Sequence, residues 1–143
     1  MILSINKFFC MLLFLALPIT ITIYAQTITP QKLVFSKICA GNFNGFDATF
    51  NHSGFPSGTE FEVQLSDPTG SFTNPIGTTI VSSTNISTSQ KRIRFSVPNT
   101  LIGSENYKLR VKSSTGFFSA PFLNAASNAS FAVYFKSFEN TFS

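Results

Sequence analysis

The chain has 143 residues, of which 43% are apolar and 11% are charged, and its formal net charge is +4. Soluble domains usually carry about 25% charged residues, so this composition excludes a disordered, highly charged chain. Ala, Glu, Lys, Leu and Arg are too scarce for a coiled coil or a long helical bundle. The length predicts one domain, or at most two small ones.

The first 25 residues have the parts of a secretory signal peptide. Lys7 precedes an uncharged run from Phe8 to Tyr24, and Ala25 stands where cleavage is expected. The alternative is an uncleaved membrane anchor, against which the shortness of the run and Pro18 both count. We therefore expect residues 1–25 to be a signal peptide and the protein to be secreted or at the cell surface, without further membrane contact.

Alternation of apolar and polar residues with a period of two runs through most of residues 26–143. This period is typical of strands with one face on a core and one in water. The predicted strands are 33–38, 45–51, 60–66, a weaker one at 76–81, 92–97, 107–112 and 131–136. Turn sequences separate them, and Asp67-Pro68-Thr69-Gly70 predicts a type I turn.

About seven short strands with such turns predict an all-β fold. The expected architecture is a single domain over residues 26–143, an antiparallel two-sheet sandwich of the immunoglobulin-like or fibronectin type III-like kind. Shared parity within each strand predicts nine core residues: Phe50, Phe61, Val63, Leu65, Ile93, Phe95, Tyr107, Leu109 and Val111. Leu101 and Gly103 before Tyr107 suggest a tyrosine corner, in which the hydroxyl bonds the upstream backbone; a plain core tyrosine is the alternative.

Cys39 is the one cysteine left after the predicted leader, so residues 26–143 hold no second thiol for an internal disulfide. At the end of an apolar strand, Cys39 is expected to be a buried and unreactive thiol. Pairing with a cysteine outside this chain is the alternative.

Three segments carry a family resemblance: ICAGNFNGFDATFN, FEVQLSDPTGSFTNPIGTT and IRFSVPNTLIGSENYKLRVKSS. Together they resemble the N-terminal Ig-like module of large exported surface proteins of gliding Bacteroidetes. The segment from Phe61 to Phe72 and the YKLRVK strand carry the likeness, which covers roughly residues 36–139. Members of that family often end in a gliding-motility-associated C-terminal domain that directs type IX secretion, and residues 1–143 contain no such domain. The resemblance implies an extracellular or cell-surface setting, as the first module of a longer protein or as a free-standing one, and it implies no catalytic residues.

The residues also predict no enzyme and no cofactor. His52 is the sole imidazole, and it stands at a strand end without a nucleophile pattern, so a solvated loop histidine is expected. Glu60 and Glu62 are the one candidate carboxylate pair for glycoside hydrolysis, and they have the spacing of ordinary solvent-side strand residues. One His and one Cys after the leader are too few for a zinc site.

Two features remain as candidates for binding. The first is a basic set on two strands: Lys91, Arg92, Arg94, Lys108, Arg110 and Lys112. It is expected to be a solvated face balanced by carboxylates; a polyanion or acidic-glycan site is the alternative. Glu60 and Glu62 are expected on the same outer face as the cations of strand 107–112, and Asp47 near Arg92 or Arg94. The second is the tract 117–122, which is expected to pack as an edge strand or loop. A contact with a neighbouring domain or a platform for sugars is the alternative.

These observations predict a non-enzymatic extracellular Ig-like module with a structural or adhesion role. Its expected partners are neighbouring domains of the same polypeptide or other surface proteins, and not nucleic acid. A carbohydrate-binding module that holds glycans on exposed aromatic rings is the alternative function. The candidate contact residues are Phe117, Phe118, Tyr134, Lys108, Arg110 and Lys112.

Overall fold

A computed structural model describes residues 24–40 and 45–135, except for the side chains of Ala40 and Phe135. The described chain is all-β and contains no helix, as the sequence predicted. Its ten strands are β1 (Thr27–Pro30), β2 (Lys37–Ala40), β3 (Phe46–Ser53), β4 (Phe61–Leu65), β5 (Ile76–Gly77), β6 (Thr79–Asn85), β7 (Gln90–Ser96), β8 (Ser104–Tyr107), β9 (Leu109–Ser113) and β10 (Phe131–Phe135).

The strands form three hydrogen-bonded sheets. One has four strands in the order β1-β3-β7-β6, and the others have three strands each, in the orders β2-β10-β8 and β5-β4-β9. All neighbours are antiparallel except β2 and β10, which run parallel. Because Lys108 alone separates β8 from β9, residues 104–113 contribute one strand to each of the three-stranded sheets.

Side chains from all three sheets share one hydrophobic core. All nine predicted core residues are buried, so the parity prediction is confirmed. The ring of Phe50 on β3 lies 5.3 Å from that of Phe61 on β4, which brings the four-stranded sheet into contact with β5-β4-β9. Full burial of one such ring contributes about 1.5–3 kcal/mol, so this cluster is the main source of stability.

Two predicted local bonds are present. Tyr107 is completely buried, and its hydroxyl donates to the carbonyl of Ile102 at 2.8 Å. In the turn at 67–70, the backbone N–H of Gly70 donates to the carbonyl of Asp67 at 3.0 Å. The Asp67 carboxylate accepts from Thr69 and Ser71, and these bonds lower its pKa, the Thr69 hydroxyl most of all. Hydrogen bonds therefore hold both the turn at 67–70 and the segment 102–107 in place.

The strand inventory differs from the prediction in number and at four places. There are ten strands rather than about seven. The strand expected at 33–38 runs over 37–40 instead, and the weak strand at 76–81 is two strands, β5 and β6. The strand expected at 107–112 is divided at Lys108 between β8 and β9. β1 was not predicted, because four residues ending in Pro30 are too short to show a period. Lys136, the expected end of the last strand, lies outside the described residues.

The predicted burial of Cys39 is wrong. Its side chain is exposed, while Ile38 before it is 1% exposed. Successive side chains of a strand point to opposite faces. Since β2 directs Ile38 into the core, it must turn Cys39 toward solvent. The thiol is therefore accessible, which favours the alternative that it can meet a cysteine outside this chain.

Candidate interaction face on β4 and β9

The polar side chains of β4 and β9 form one outward surface, here called the outer face. Antiparallel pairing aligns Glu62 with Lys112 and Gln64 with Arg110. The residues between them, such as Val63 and Val111, are buried. Side chains alternate between the two faces of a strand, and residues directly opposite each other in a sheet share a face. All four polar groups therefore point to the same side.

An ion pair balances part of the charge on the outer face. Lys112 Nζ lies 3.2 Å from Glu62 Oε1, with 37% and 50% of the side chains exposed. A pair this exposed contributes about 0–1 kcal/mol to stability. Its main effect is on the field, because it leaves Lys112 with little net charge to offer a ligand. The predicted proximity of Glu62 to this strand is confirmed.

Arg110 is held between two aromatic rings. Its guanidinium carbon lies 4.2 Å from the ring centroid of Phe72 and 4.0 Å from that of Phe118. Its Nε and Nη2 donate to Gln64 Oε1 at 3.1 and 2.9 Å. Gln64 in turn donates to Glu62 Oε1 at 2.8 Å. Partial burial lowers the pKa of Arg110, which nevertheless stays a cation at neutral pH.

This stack unites two predicted contact residues with two that were not predicted. Phe118 comes next to β9 through an isolated antiparallel bridge to Lys112. Gln64 was recognisable only as a solvent-side strand residue, and its partner followed from the register. Phe72 lies in the segment between β4 and β5, where no period indicates a direction. Cation–π contacts at such sites contribute about 0.5–1 kcal/mol each, or more when desolvated.

The tract 117–122 runs along the free side of β9 as an irregular edge segment. Backbone N–H groups of Ser119 and Phe122 donate to the carbonyls of Val111 and Leu109 at 2.9 and 2.8 Å. Phe122 is buried, and the buried hydroxyl of Ser119 accepts from the N–H of Val111. The expected packing as an edge strand or loop is therefore what the backbone bonds show.

The other predicted contact residues lie apart from the stack. Phe117 packs edge-on against Phe55, with the ring centroids 5.9 Å apart. Tyr134 lies on β10, where its hydroxyl donates to Glu105 at 3.3 Å. The Lys108 side chain lies beside Gly70, which has a φ of +84° in the turn at 67–70. Phe117, Phe118 and Tyr134 are partly exposed, and each contacts a different neighbour: Phe55, Arg110 and Glu105.

The rest of the basic set lies on β7, in the four-stranded sheet. Arg94 lies 3.8 Å from Asp47, its partner in the β3–β7 register, as expected. Lys91 donates to the Ser83 hydroxyl at 3.4 Å, and Arg92 is exposed. Three of the six cations therefore lie on β7, two lie on β9, and Lys108 lies between β8 and β9. Two of the six have a carboxylate partner within 4 Å among the described residues.

His52 does not occupy a solvated loop as expected. It is part of β3, it is half-buried, and its ring centroid lies 5.0 Å from that of Phe61. Burial lowers the pKa of His52, and the charge of Lys91 lowers it further. It borders a cavity of about 450 Å3 with Phe55 and Thr59. Within the described residues no hydrogen bond joins His52 to a hydroxyl or a carboxylate, as a catalytic triad would need.

Residues 24–40 and 45–135 contain no group of three His, Cys, Asp or Glu side chains placed to hold a metal ion. Within the same ranges no helix is long and apolar enough to cross a membrane. Comparison of the chain with family models, with curated proteins and with solved structures finds no match.

Proposed function

We propose that this chain is a non-catalytic, exported β-sandwich module with an immunoglobulin-like strand order and a structural or adhesive role at a cell surface. The strand order carries the fold part of the proposal. In an immunoglobulin sandwich, strands A, B, E and D form one sheet and C, F and G the other. β1-β3-β7-β6 matches the first sheet, and β4, the β8–β9 run and β10 match the second.

The bond from the Tyr107 hydroxyl to the Ile102 carbonyl supports the same proposal. In immunoglobulin-like and fibronectin type III domains, a tyrosine at the start of strand F bonds the backbone a few residues upstream. Tyr107 stands at the corresponding place, at the junction of β8 and β9, and its bond spans five residues. The buried cluster between the sheets supplies the core that such a sandwich needs.

The outer face supports a structural role over ligand capture. The two candidate cations on β9 are already bonded within the chain: Lys112 to Glu62, and Arg110 to Gln64. The exposed rings Phe117, Phe118 and Tyr134 contact different neighbours. We therefore place the contacts of this module with neighbouring domains or surface proteins, in the extracellular setting that the resemblance to Bacteroidetes modules implies.

Export and processing form the first experimental test. The full chain is expressed in a Gram-negative host, and the mass of the recovered protein is measured. We expect cleavage after Ala25. A chain recovered uncleaved in the membrane fraction contradicts the secreted module and favours an anchored one.

A carbohydrate-binding module is the second candidate, and one observation favours it: the Phe118 ring is 43% exposed beside a cation. A glycan array with the purified chain separates the two functions. The structural role predicts no glycan bound above background. Glycan binding that a Phe118→Ala variant loses, and that a control at the exposed Val34, Val34→Ala, keeps, overturns the structural role.

A further inference from the structure

β6 forms a long and unusual edge. It is the last strand in the order β1-β3-β7-β6, and on its outer side it pairs with no strand of the described chain. All seven of its residues are exposed. The other terminal strands of the sheets are shorter: β5 has two residues, β1, β2 and β8 have four each, and β9 has five. The row of backbone groups along β6 is therefore the longest one open to another strand.

The register fixes which backbone groups point outward. The N–H of Ile86 donates to the carbonyl of Gln90 at 2.9 Å, so residue 86 is directed at β7. Antiparallel strands alternate between hydrogen-bonded and non-bonded residues. Thr84 and Ser82 therefore also face β7, and Ser83 and Asn85 present their N–H and C=O groups to the outside.

This edge lacks the usual protection. Natural edge strands carry charges, above all Lys, or Pro, so that foreign strands do not pair with them. No Asp, Glu, Lys or Arg occurs from Pro68 to Gln90, and β6 contains no Pro. A register shift between Ile80 and Ser82 is the one protective feature, because a bulge bends the strand there. The remainder of β6 keeps a regular pairing with β7.

We propose that β6 is an interaction site for a second copy of this chain, which pairs with it antiparallel, edge to edge, about a twofold axis. The sequence of the edge is complementary to itself. With Ser83 on the axis, its outward groups bond those of its own copy, and Ser82 lies opposite Thr84. No like charges meet, and such hydroxyl and β-branched pairs stabilise antiparallel strands.

The same geometry favours a second copy over an unrelated peptide. A twofold contact uses one surface twice and closes at the dimer, so it does not lead to a filament. The proposal holds whether or not the module is exported, because it depends only on β6 and β7.

The test is sedimentation velocity of the purified chain from about 1 µM to 1 mM, with two variants at the axis. Ser83→Pro removes an outward N–H and spares the bonds to β7, since Pro is tolerated on such edges. Ser83→Lys places two like charges opposite each other. The wild type is expected to dimerise within this range, and each variant is expected to weaken the dimer by about tenfold or more. Thr29→Lys on β1, an exposed edge residue of the same sheet, is the control and leaves the dimer unchanged.

All variants keep residues 1–25, so any association through that segment is common to them, and thermal melts verify that each is folded. A wild type that stays monomeric up to 1 mM overturns the proposal. So does a dimer that both variants leave intact, or one that Thr29→Lys weakens equally. Amide exchange at Ser83 gives a further check. Protection in the monomer means that another segment of the same chain covers the edge, which also contradicts the proposal.

Discussion

Replacement of Tyr107 by Phe removes one hydroxyl and leaves the buried ring in place. The lost bond is the one to the Ile102 carbonyl, at 2.8 Å. A net hydrogen bond contributes about 0.5–1.5 kcal/mol to stability. Because the Ile102 side chain is 68% exposed, water can reach the freed carbonyl, and no further desolvation cost is expected. We therefore predict that Tyr107→Phe lowers the free energy of unfolding by about 1 kcal/mol.

Urea unfolding measures this change. With a urea m-value of about 2 kcal/mol/M, a loss of 1 kcal/mol lowers the midpoint by about 0.5 M at unchanged m. Tyr134→Phe is the matched control, because it removes an exposed hydroxyl that makes a 3.3 Å bond to Glu105. Its midpoint should stay within about 0.1 M of the wild type. Equal midpoints for Tyr107→Phe and wild type, or a loss above about 3 kcal/mol, would refute the reasoning from this bond.

The same variant has a predicted pH signature. Burial raises the pKa of Tyr107 above its usual value of 10, and the charge of Asp67 raises it further. The phenol then ionises more readily in the unfolded chain than in the folded one. Its contribution is fully present below about pH 10 and is lost as the pH rises through the folded pKa. Stability should therefore fall more steeply with alkaline pH in the wild type than in Tyr107→Phe.

Three further predictions concern the thiol, the charges and the turn. Cys39 is exposed, so a bulky maleimide should label the folded chain rapidly and stoichiometrically at residue 39; slow labelling that speeds up on unfolding contradicts this exposure. Binding to heparin at about 0.15 M salt should be weak or absent, because the cations are divided and partly paired; salt-sensitive retention that a folded Lys108/Arg110/Lys112→Gln variant loses contradicts this. Asp67→Asn should remove stability at neutral pH that the wild type loses in acid, since hydrogen bonds hold the carboxyl pKa below its usual range. Urea midpoints at pH 7 and pH 2.5 measure the difference, and equal midpoints for the two chains at pH 7 argue against it.

The core and one pair of strands could be predicted from the sequence because a period of two carries direction. In β4 and β9, alternation over five residues each fixes which side chains are buried, as for Val63 and Val111. Opposite charges on the remaining parity then predicted that Glu62 shares an outer face with the cations of the neighbouring strand, and the structure pairs it with Lys112. Such information is strong wherever one face of a strand is buried, since a slip by one residue would expose the whole apolar set.

The alternation of side chains along a strand also explains why the predicted burial of Cys39 was wrong. The observed β2 begins four residues later than the predicted strand 33–38 and ends two residues later, so it includes Cys39. The run LVFSKICA has apolar residues at both parities, so the period does not decide between Ile38 and Cys39. Tertiary pairing with β10 decides it, and a partner so distant in sequence leaves no local trace.

Long-range contacts also account for what was missed in the candidate site. Phe72 reaches Arg110 across 38 residues of chain, from a segment rich in turn residues. His52 was expected in solvent because Gly54 and Pro56 follow it. The aromatic cluster around Phe61 half-buries it instead. Phe72 lies outside the strands, where no period gives its direction, and Phe61 reaches His52 from a strand of another sheet.

The packing of the sheet β1-β3-β7-β6 against the sheet β5-β4-β9 is the central claim. Nuclear Overhauser spectroscopy tests it most directly. The rings of Phe50 and Phe61 belong to different sheets and lie 5.3 Å apart. We predict a ring-to-ring cross-peak between them, identified by its loss in both Phe50→Leu and Phe61→Leu. A folded chain that shows the β4–β9 contacts of Glu62 with Lys112 and lacks this cross-peak would contradict the sandwich.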